Sequence, residues 1–378
     1  MTQTQPDHQY TDQSELRAAL RLSLVSGVGP RIRQDLLDCF GSADAIFAAS
    51  SQQLRQVPGV GSKLSNSILR ATEEVDIETE LQLCQDNNIS ILSDSDENYP
   101  RLLKEIDDPP GILFASGTAL PQDSISIAVV GSRHATHYGL QQAERLASGL
   151  ARAGVTVVSG MARGVDAAAH RGAISAGGRT IAVLGSGLLN IYPPEHKELA
   201  VDISFNGAVI SEVPPRRHPS SGAFPQRNRL ITGLSLGTLV VEASERSGAL
   251  ISARHAMEQN RDVFAVPGRI DSRMSRGCHS LIRDGAKLVQ SVDDILEELG
   301  PLVEATVDDT GQEIRHPAEL KLNEQERQVL DAIDSEPTEI DQVVTQSGLP
   351  VHRVLSTVSV LEMRHLVRRV SGNKVARV

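Results

Sequence analysis

Tryptophan is absent from this 378-residue chain, aromatic residues make up 3% of it, and its only cysteines are Cys39, Cys84 and Cys278. Cysteines so widely spaced form neither a disulfide framework nor the paired ligands of a zinc site, so the sequence implies no metal. No apolar run approaches the roughly 18 residues that a membrane span needs. The N-terminus is polar and acidic (Gln3, Asp7, Asp12), unlike a secretory signal, and a soluble cytoplasmic protein is the expectation. Nucleotide motifs are missing as well. No Gly-x-x-x-x-Gly-Lys-Ser/Thr loop occurs, and Gly185-Ser186-Gly187 lacks the third glycine and the later acid of a dinucleotide fingerprint. His134 and His137 have no neighbouring acid or cysteine to complete a ligand set. P-loop ATP hydrolysis and NAD binding are thus disfavoured, no cofactor is expected, and no serine is expected in a Gly-x-Ser-x-Gly nucleophile elbow.

Charge is present, but unevenly. The net charge is −11, and residues 1–120 carry 9 lysines and arginines against 18 acids. Residues 121–299 carry 19 against 17, and 17 of those 19 cations are arginine. Arginine's planar fork suits bidentate phosphate contacts, so an arginine-rich middle in an acidic chain points to local anion recognition, with surface solubility as the plain alternative.

The length suggests two or three domains. Residues 1–13 read as a disordered tail. Residues 14–82 read as paired helical hairpins around Gly27-Val28-Gly29-Pro30 and Gly59-Val60-Gly61-Ser62, turns that either offer N–H groups and Lys63 to a phosphate or only permit tight helix crossing. Residues 83–299 open with turn-rich text to about residue 120. Apolar runs then follow at Ile125–Val130, Val155–Val158, Thr180–Leu184, Ala208–Ile210, Thr238–Val241 and Val263–Val266. They alternate with helical stretches such as Leu140–Ala153, Asp166–Ala176 and Ala249–Asn260. That pattern predicts a doubly wound, mostly parallel, Rossmann-like α/β sheet covered on both faces. Residues 300–317 read as an acidic linker. Residues 318–378 read as three helices and a hairpin, the order of a winged helix, and the six cations against one acid in 342–378 fit either a nucleic-acid face or a protein-docking module.

Ligands of open α/β sheets collect at the carboxyl ends of the strands. Here those ends read Gly131-Ser132-Arg133, Ser159-Gly160-Met161-Ala162-Arg163-Gly164, Gly185-Ser186-Gly187, Glu242 through Ser247-Gly248, and Pro267-Gly268-Arg269. Glycine, serine and arginine in one row predict a phosphate-binding floor. Phe224-Pro225-Gln226-Arg227-Asn228-Arg229 adds an aromatic and two arginines, which suit stacking on an unpaired base and holding its phosphates. The alternative makes Phe224 a core plug and the arginines salt-bridge partners of Glu242 or Glu245. Asp166 and His170, four apart on one helix face, are expected to brace a turn.

The ordered series Val129-Val130-Gly131-Ser132-Arg133, Tyr138-Gly139, Ser159-Gly160 through His170, Phe224 through Arg229, Val241-Glu242-Ala243, Ala265-Val266-Pro267-Gly268 and Asp284-Gly285-Ala286 resembles the DprA/Smf family of DNA-processing proteins. The resemblance implies a sterile-alpha-motif-like N-terminal domain, a C-terminal winged helix and a non-enzymatic homodimer. It implies sequence-independent binding of single-stranded DNA, protection of incoming DNA in natural transformation, and loading of the RecA recombinase. By matched position the DNA pocket would include Gly131, Ser132, Arg133, Gly160, Phe224, Arg227, Asn228 and Arg229, with Ser247 and Gly248 nearby. Arg163 joins them from the strand-end row. Ser221 stands where the family often has a basic residue, Leu189 where aspartate is common, and Arg269 and His279 where asparagines are common. The implied dimer surface lies around residues 270–290. Two other readings stay open: a nucleotide phosphoribohydrolase-type enzyme using Glu242, although its Pro-Gly-Gly loop is missing, and an adaptor acting through residues 318–378.

Overall fold

The computed structural model describes residues 7–119, 121–299, 306–307, 313–314, 322–334, 337–363, 366–370 and 373–377. The N-terminal module holds α1 (Asp7–Leu24), α2 (Pro30–Phe40), α3 (Ala43–Ala48), α4 (Ser51–Leu54), α5 (Ser62–Glu74) and α6 (Ile77–Asp86). Helix α1 begins inside the segment that composition assigned to a tail. Val25, Val57 and Val60, beside the glycine turns, are buried with Leu22, Leu36 and Ile68 in this module's own core. On the adjacent face of α1, Ala19 and Leu20 pack into the layer that covers the sheet, so one helix serves both modules. Arg33 adds a polar tie, with its guanidinium 2.7 Å from the Asp94 carboxylate.

The central strands are β1 (Ser90–Ser93), β2 (Ile112–Gly117), β3 (Ser126–Val130), β4 (Thr156–Ser159), β5 (Thr180–Leu184), β6 (Gly207–Ser211), β7 (Gly237–Val240), β8 (Asp262–Ala265) and β9 (Lys287–Leu288). They form one sheet in the order β1-β2-β6-β5-β4-β3-β7-β8-β9. Pairing is parallel from β6 through β9, whereas β2 runs antiparallel to β6 and β1 antiparallel to β2. The antiparallel pair corrects the expectation of turns alone over 83–120: Ile112, Leu113 and Phe114 are an apolar run that the sheet buries.

The connecting helices are α7 (Arg101–Lys104), α8 (His137–Arg152), α9 (Val165–Ser175), α10 (Lys197–Phe205), α11 (Ala223–Gly233), α12 (Ala249–Glu258), α13 (Arg276–Arg283) and α14 (Asp293–Leu299). Successive strand residues point to opposite faces. Ile127 and Val129 of β3 accordingly pack against α8 and α9, while Ala128 and Val130 pack with Leu230 and Ile231 of α11 and Ala249 and Ala253 of α12. Apolar side chains on both faces are why these strands read as unbroken hydrophobic runs.

Beyond the sheet, Thr306–Val307 pairs with Glu313–Ile314, and most of the expected linker lies outside the described residues. Helices α15 (Glu324–Asp331), α16 (Ile340–Ser347) and α17 (Val351–Met363) precede a hairpin of Val367–Val370 with Lys374–Arg377. Thr338–Glu339 pairs with its second strand, completing a three-stranded wing. Val329, Val343, Val358 and Val375 give this unit a separate core.

Candidate nucleic-acid interface

Strand order reverses about β3: the chain builds outward through β4, β5 and β6 on one side and through β7, β8 and β9 on the other. The crevice at such a switch point is where helix N-termini and strand-end loops converge. A cleft of about 700 Å3 opens there. Gly131, Ser132 and Arg133 from β3 line it, together with Ser247 and Gly248 from the loop before α12 and Phe224, Arg227 and Asn228 from α11. A smaller recess adjoins it, walled by Gly160, Arg163 and Tyr192 and sharing Arg133, Phe224 and Arg227 with the main cleft. Of the eleven sequence-selected residues, eight line the cleft and two more, Gly160 and Arg163, line the adjoining recess.

Arg229 does not join them. Along α11, Arg227 shares the inward stripe with Leu230 and Ile231, three and four residues on, whereas Arg229 is turned about 200° away. Its guanidinium pairs with Glu212 and lies 3.3 Å from the Asp108 carboxylate. The salt-bridge alternative thus holds for Arg229, with partners other than Glu242 and Glu245. Pro225 sits in the first turn of α11, the part of a helix that tolerates proline.

Arg227 is 4% exposed. Its Nη1 donates to the Gly160 carbonyl at 2.8 Å and to the Val183 carbonyl, which joins the ends of β4 and β5 under the cleft. A Cβ on residue 160 would lie 2.6 Å from that guanidinium, which is why glycine stands there. Burial pulls Arg227 down to about 10, against the pull of Asp166, so it stays charged at neutral pH. Asp166 accepts from the Ala162 N–H at 3.2 Å, and burial raises its carboxyl despite the attraction of Arg227. Gly164, at φ +80°, lets the chain turn where a Cβ would come within 2.2 Å of the Ser132 carbonyl.

His170 Nδ1 bonds the Thr180 hydroxyl at 2.7 Å, and that hydroxyl donates to the Val157 carbonyl at 2.7 Å. Burial first, then His196 and Arg227, pulls the imidazole down to about 3, so it is neutral across the physiological range. Asp166 and His170 hold separate partners and brace the floor, as their spacing suggested.

Arg133 stands at the rim, exposed, with its guanidinium carbon 5.3 Å from the Phe224 ring centroid. It has no carboxylate partner among the described residues, whereas Arg163 holds Glu195 at 2.5 Å. Ser220 and Ser221 also line the cleft, but Arg216 and Arg217 do not. The Arg216 and Arg217 carbonyls accept from Asn190 Nδ2 and the Gly187 N–H. Tyr192 lines both concavities, and sequence reading missed it because it stopped at Gly187, short of the end of a long loop.

Glu242 is 3% exposed and fully engaged, its oxygens accepting from the Thr136 N–H at 2.7 Å and the Thr136 hydroxyl at 2.8 Å. Contrary to the expectation that no serine has it, Gly233-Leu234-Ser235-Leu236-Gly237 has the Gly-x-Ser-x-Gly spacing of a nucleophile elbow. Ser235 precedes β7 instead of following a strand, and its buried hydroxyl donates to the Ile231 carbonyl at 3.0 Å. No cluster of metal-binding side chains occurs among the described residues, and none of their helices is long and apolar enough to cross a membrane.

A doubly covered parallel sheet with an arginine-rimmed cleft at its switch point places the molecule among α/β proteins equipped for anionic ligands. Comparison with known proteins narrows the class. Residues 90–300 match the family described as DNA recombination-mediator protein A, residues 313–373 the DprA winged helix domain, and residues 19–74 a SAM-like helix-hairpin-helix tandem. Protein Smf of Synechocystis is 34% identical over 96% of this chain and 99% of its own length. The chain belongs to the DprA/Smf family. The crystal structure of DprA from Streptococcus pneumoniae is 36% identical and superposes with a TM-score of 0.67 over 75% of this chain and 97% of that one. DprA from Helicobacter pylori, described for its single-stranded DNA binding mode, is 31% identical with a TM-score of 0.51, over 57% of this chain and 97% of that one.

Proposed function

We propose that this protein binds single-stranded DNA without sequence preference in the switch-point cleft, protects it and passes it to the RecA recombinase, with no enzymatic step. Arg133 carries the reading: an exposed guanidinium with no carboxylate partner among the described residues, beside an aromatic ring and above a floor of buried charge. Arginine and aromatic groups that grip backbone and base faces are tolerant of sequence. A homodimer through residues 270–290 fits Ile270, which is 91% exposed there. Against the hydrolase alternative, both Glu242 oxygens accept hydrogen bonds from Thr136.

A mobility-shift comparison of single- and double-stranded oligonucleotides, with and without RecA, tests the reading. Preference for single strands, affinity falling as salt rises, and faster RecA filament formation are expected. Equal affinity for both forms, or free base released from nucleotides, would overturn it.

A further inference from the structure

The cleft contains a second flat aromatic surface that neither the fold nor the relatives' descriptions assign. Tyr192 is 38% exposed, and its ring centroid lies 5.5 Å from that of Phe224 at an interplanar angle of 42°. The two rings therefore form a corner and not a stack. Phe224 already carries the Arg133 guanidinium at 5.3 Å, so a base approaching it meets an arginine–phenylalanine pair. Tyr192 keeps an accessible ring at the junction of the cleft and the recess.

The recess has a volume of about 30 Å3. That suffices for a water or a phosphate oxygen and not for a nucleobase. Its walls carry Arg133, Arg163 and Arg227, and the buried Nε of Arg227 has no hydrogen-bond partner. A small, cation-walled hollow between two aromatic surfaces suits a phosphodiester flanked by two bases.

Resting on the single-strand reading above, we propose that Tyr192 is a second nucleobase platform. The cleft then holds two successive nucleotides, one base against the Arg133–Phe224 pair and the next against Tyr192, with the linking phosphate at the recess.

The test measures oligothymidine affinity for Tyr192→Ala, Tyr192→Leu and Tyr192→Phe in the full-length protein, with thermal unfolding as a control. Loss of one stacked base predicts a decrease of about tenfold for Ala and for Leu, which keeps bulk without a flat face, and near-unchanged binding for Phe. An abasic chain of the same length supplies the readout that a structural role would not move: wild type and Tyr192→Ala should bind it equally. A deficit that persists on the abasic chain would overturn base stacking. Unchanged oligothymidine binding by Tyr192→Ala, alongside a loss for Arg133→Ala, would sink the second platform and leave the cleft assignment standing. No loss from either substitution would remove the cleft assignment itself.

Discussion

Arg227 and Arg133 border the same cleft, one in its floor and the other on its rim. The floor arginine is 4% exposed, holds the Gly160 and Val183 carbonyls, and faces the buried Asp166. The rim arginine stands in solvent over Phe224 with no carboxylate partner among the described residues. Burial separates their roles: a desolvated cation must be matched internally and so ties elements together, whereas a solvated one is available to an incoming phosphate. Arg229, matched by Glu212 and Asp108, behaves as a floor residue although sequence alone groups it with the binders.

The largest effect is expected from the floor. Arg227→Ala removes the bonds to the Gly160 and Val183 carbonyls and the stronger of the two cations that attract the buried Asp166, and should cost about 3 kcal/mol of folding stability, read as a lower denaturant midpoint at unchanged slope. Arg227→Lys should recover part of that loss, since a single nitrogen, Nη1, holds both strand-end carbonyls and an ammonium also offers several donors from one nitrogen. An Arg227→Ala protein as stable as the wild type would break the contrast by showing that the floor does not depend on this cation.

A second floor effect is its pH dependence. The His170 imidazole takes up a proton near pH 6.5 when unfolded but only near pH 3 when folded. Its contribution is therefore complete above pH 6.5 and is lost as pH falls toward 3. Between pH 7 and 4 the wild type should lose about 3 kcal/mol more than His170→Gln. Asp166, whose carboxyl is raised, acts in the opposite sense and is common to both proteins. Parallel stability curves for the two would show that the floor does not exclude the proton.

At the rim the expectation reverses. Arg133→Ala should leave thermal unfolding unchanged while lowering single-strand affinity about tenfold, and the salt dependence should become shallower by about 0.7 in log–log slope. Loss of stability without loss of affinity would place Arg133 with the floor.

Strands buried on both faces were the most readable part of this chain, and Thr180–Leu184 coincides with β5 end to end. The antiparallel strands β1 and β2 were hidden because the proline-rich turn at 109–110 dominates a short segment. Helix α11 escaped notice because Pro225 and two arginines mask its periodicity. Without that helix, the 200° separating Arg227 from Arg229 cannot be read, and both look like binders. Tyr192 was missed for a related reason: a loop residue's place depends on where the chain returns, here against Phe224, and local spacing does not encode that return.

The smallest effect is expected farthest from the rim. The winged helix carries many cations, yet Arg369 lies 3.2 Å from Glu362 and Lys374 lies 3.7 Å from Glu339, so part of its basic face is internally matched. Val351 and Leu355, four apart at the start of α17, are 50% and 38% exposed, an apolar pair better suited to a protein surface than to phosphate. Because this unit has its own core, deletion of residues 318–378 should leave the cleft folded and lower single-strand affinity by less than about threefold in a titration at moderate salt. Loss of nearly all binding on that deletion would move the principal site off the sheet, and the contrast between floor and rim would then describe a fold and not an interface.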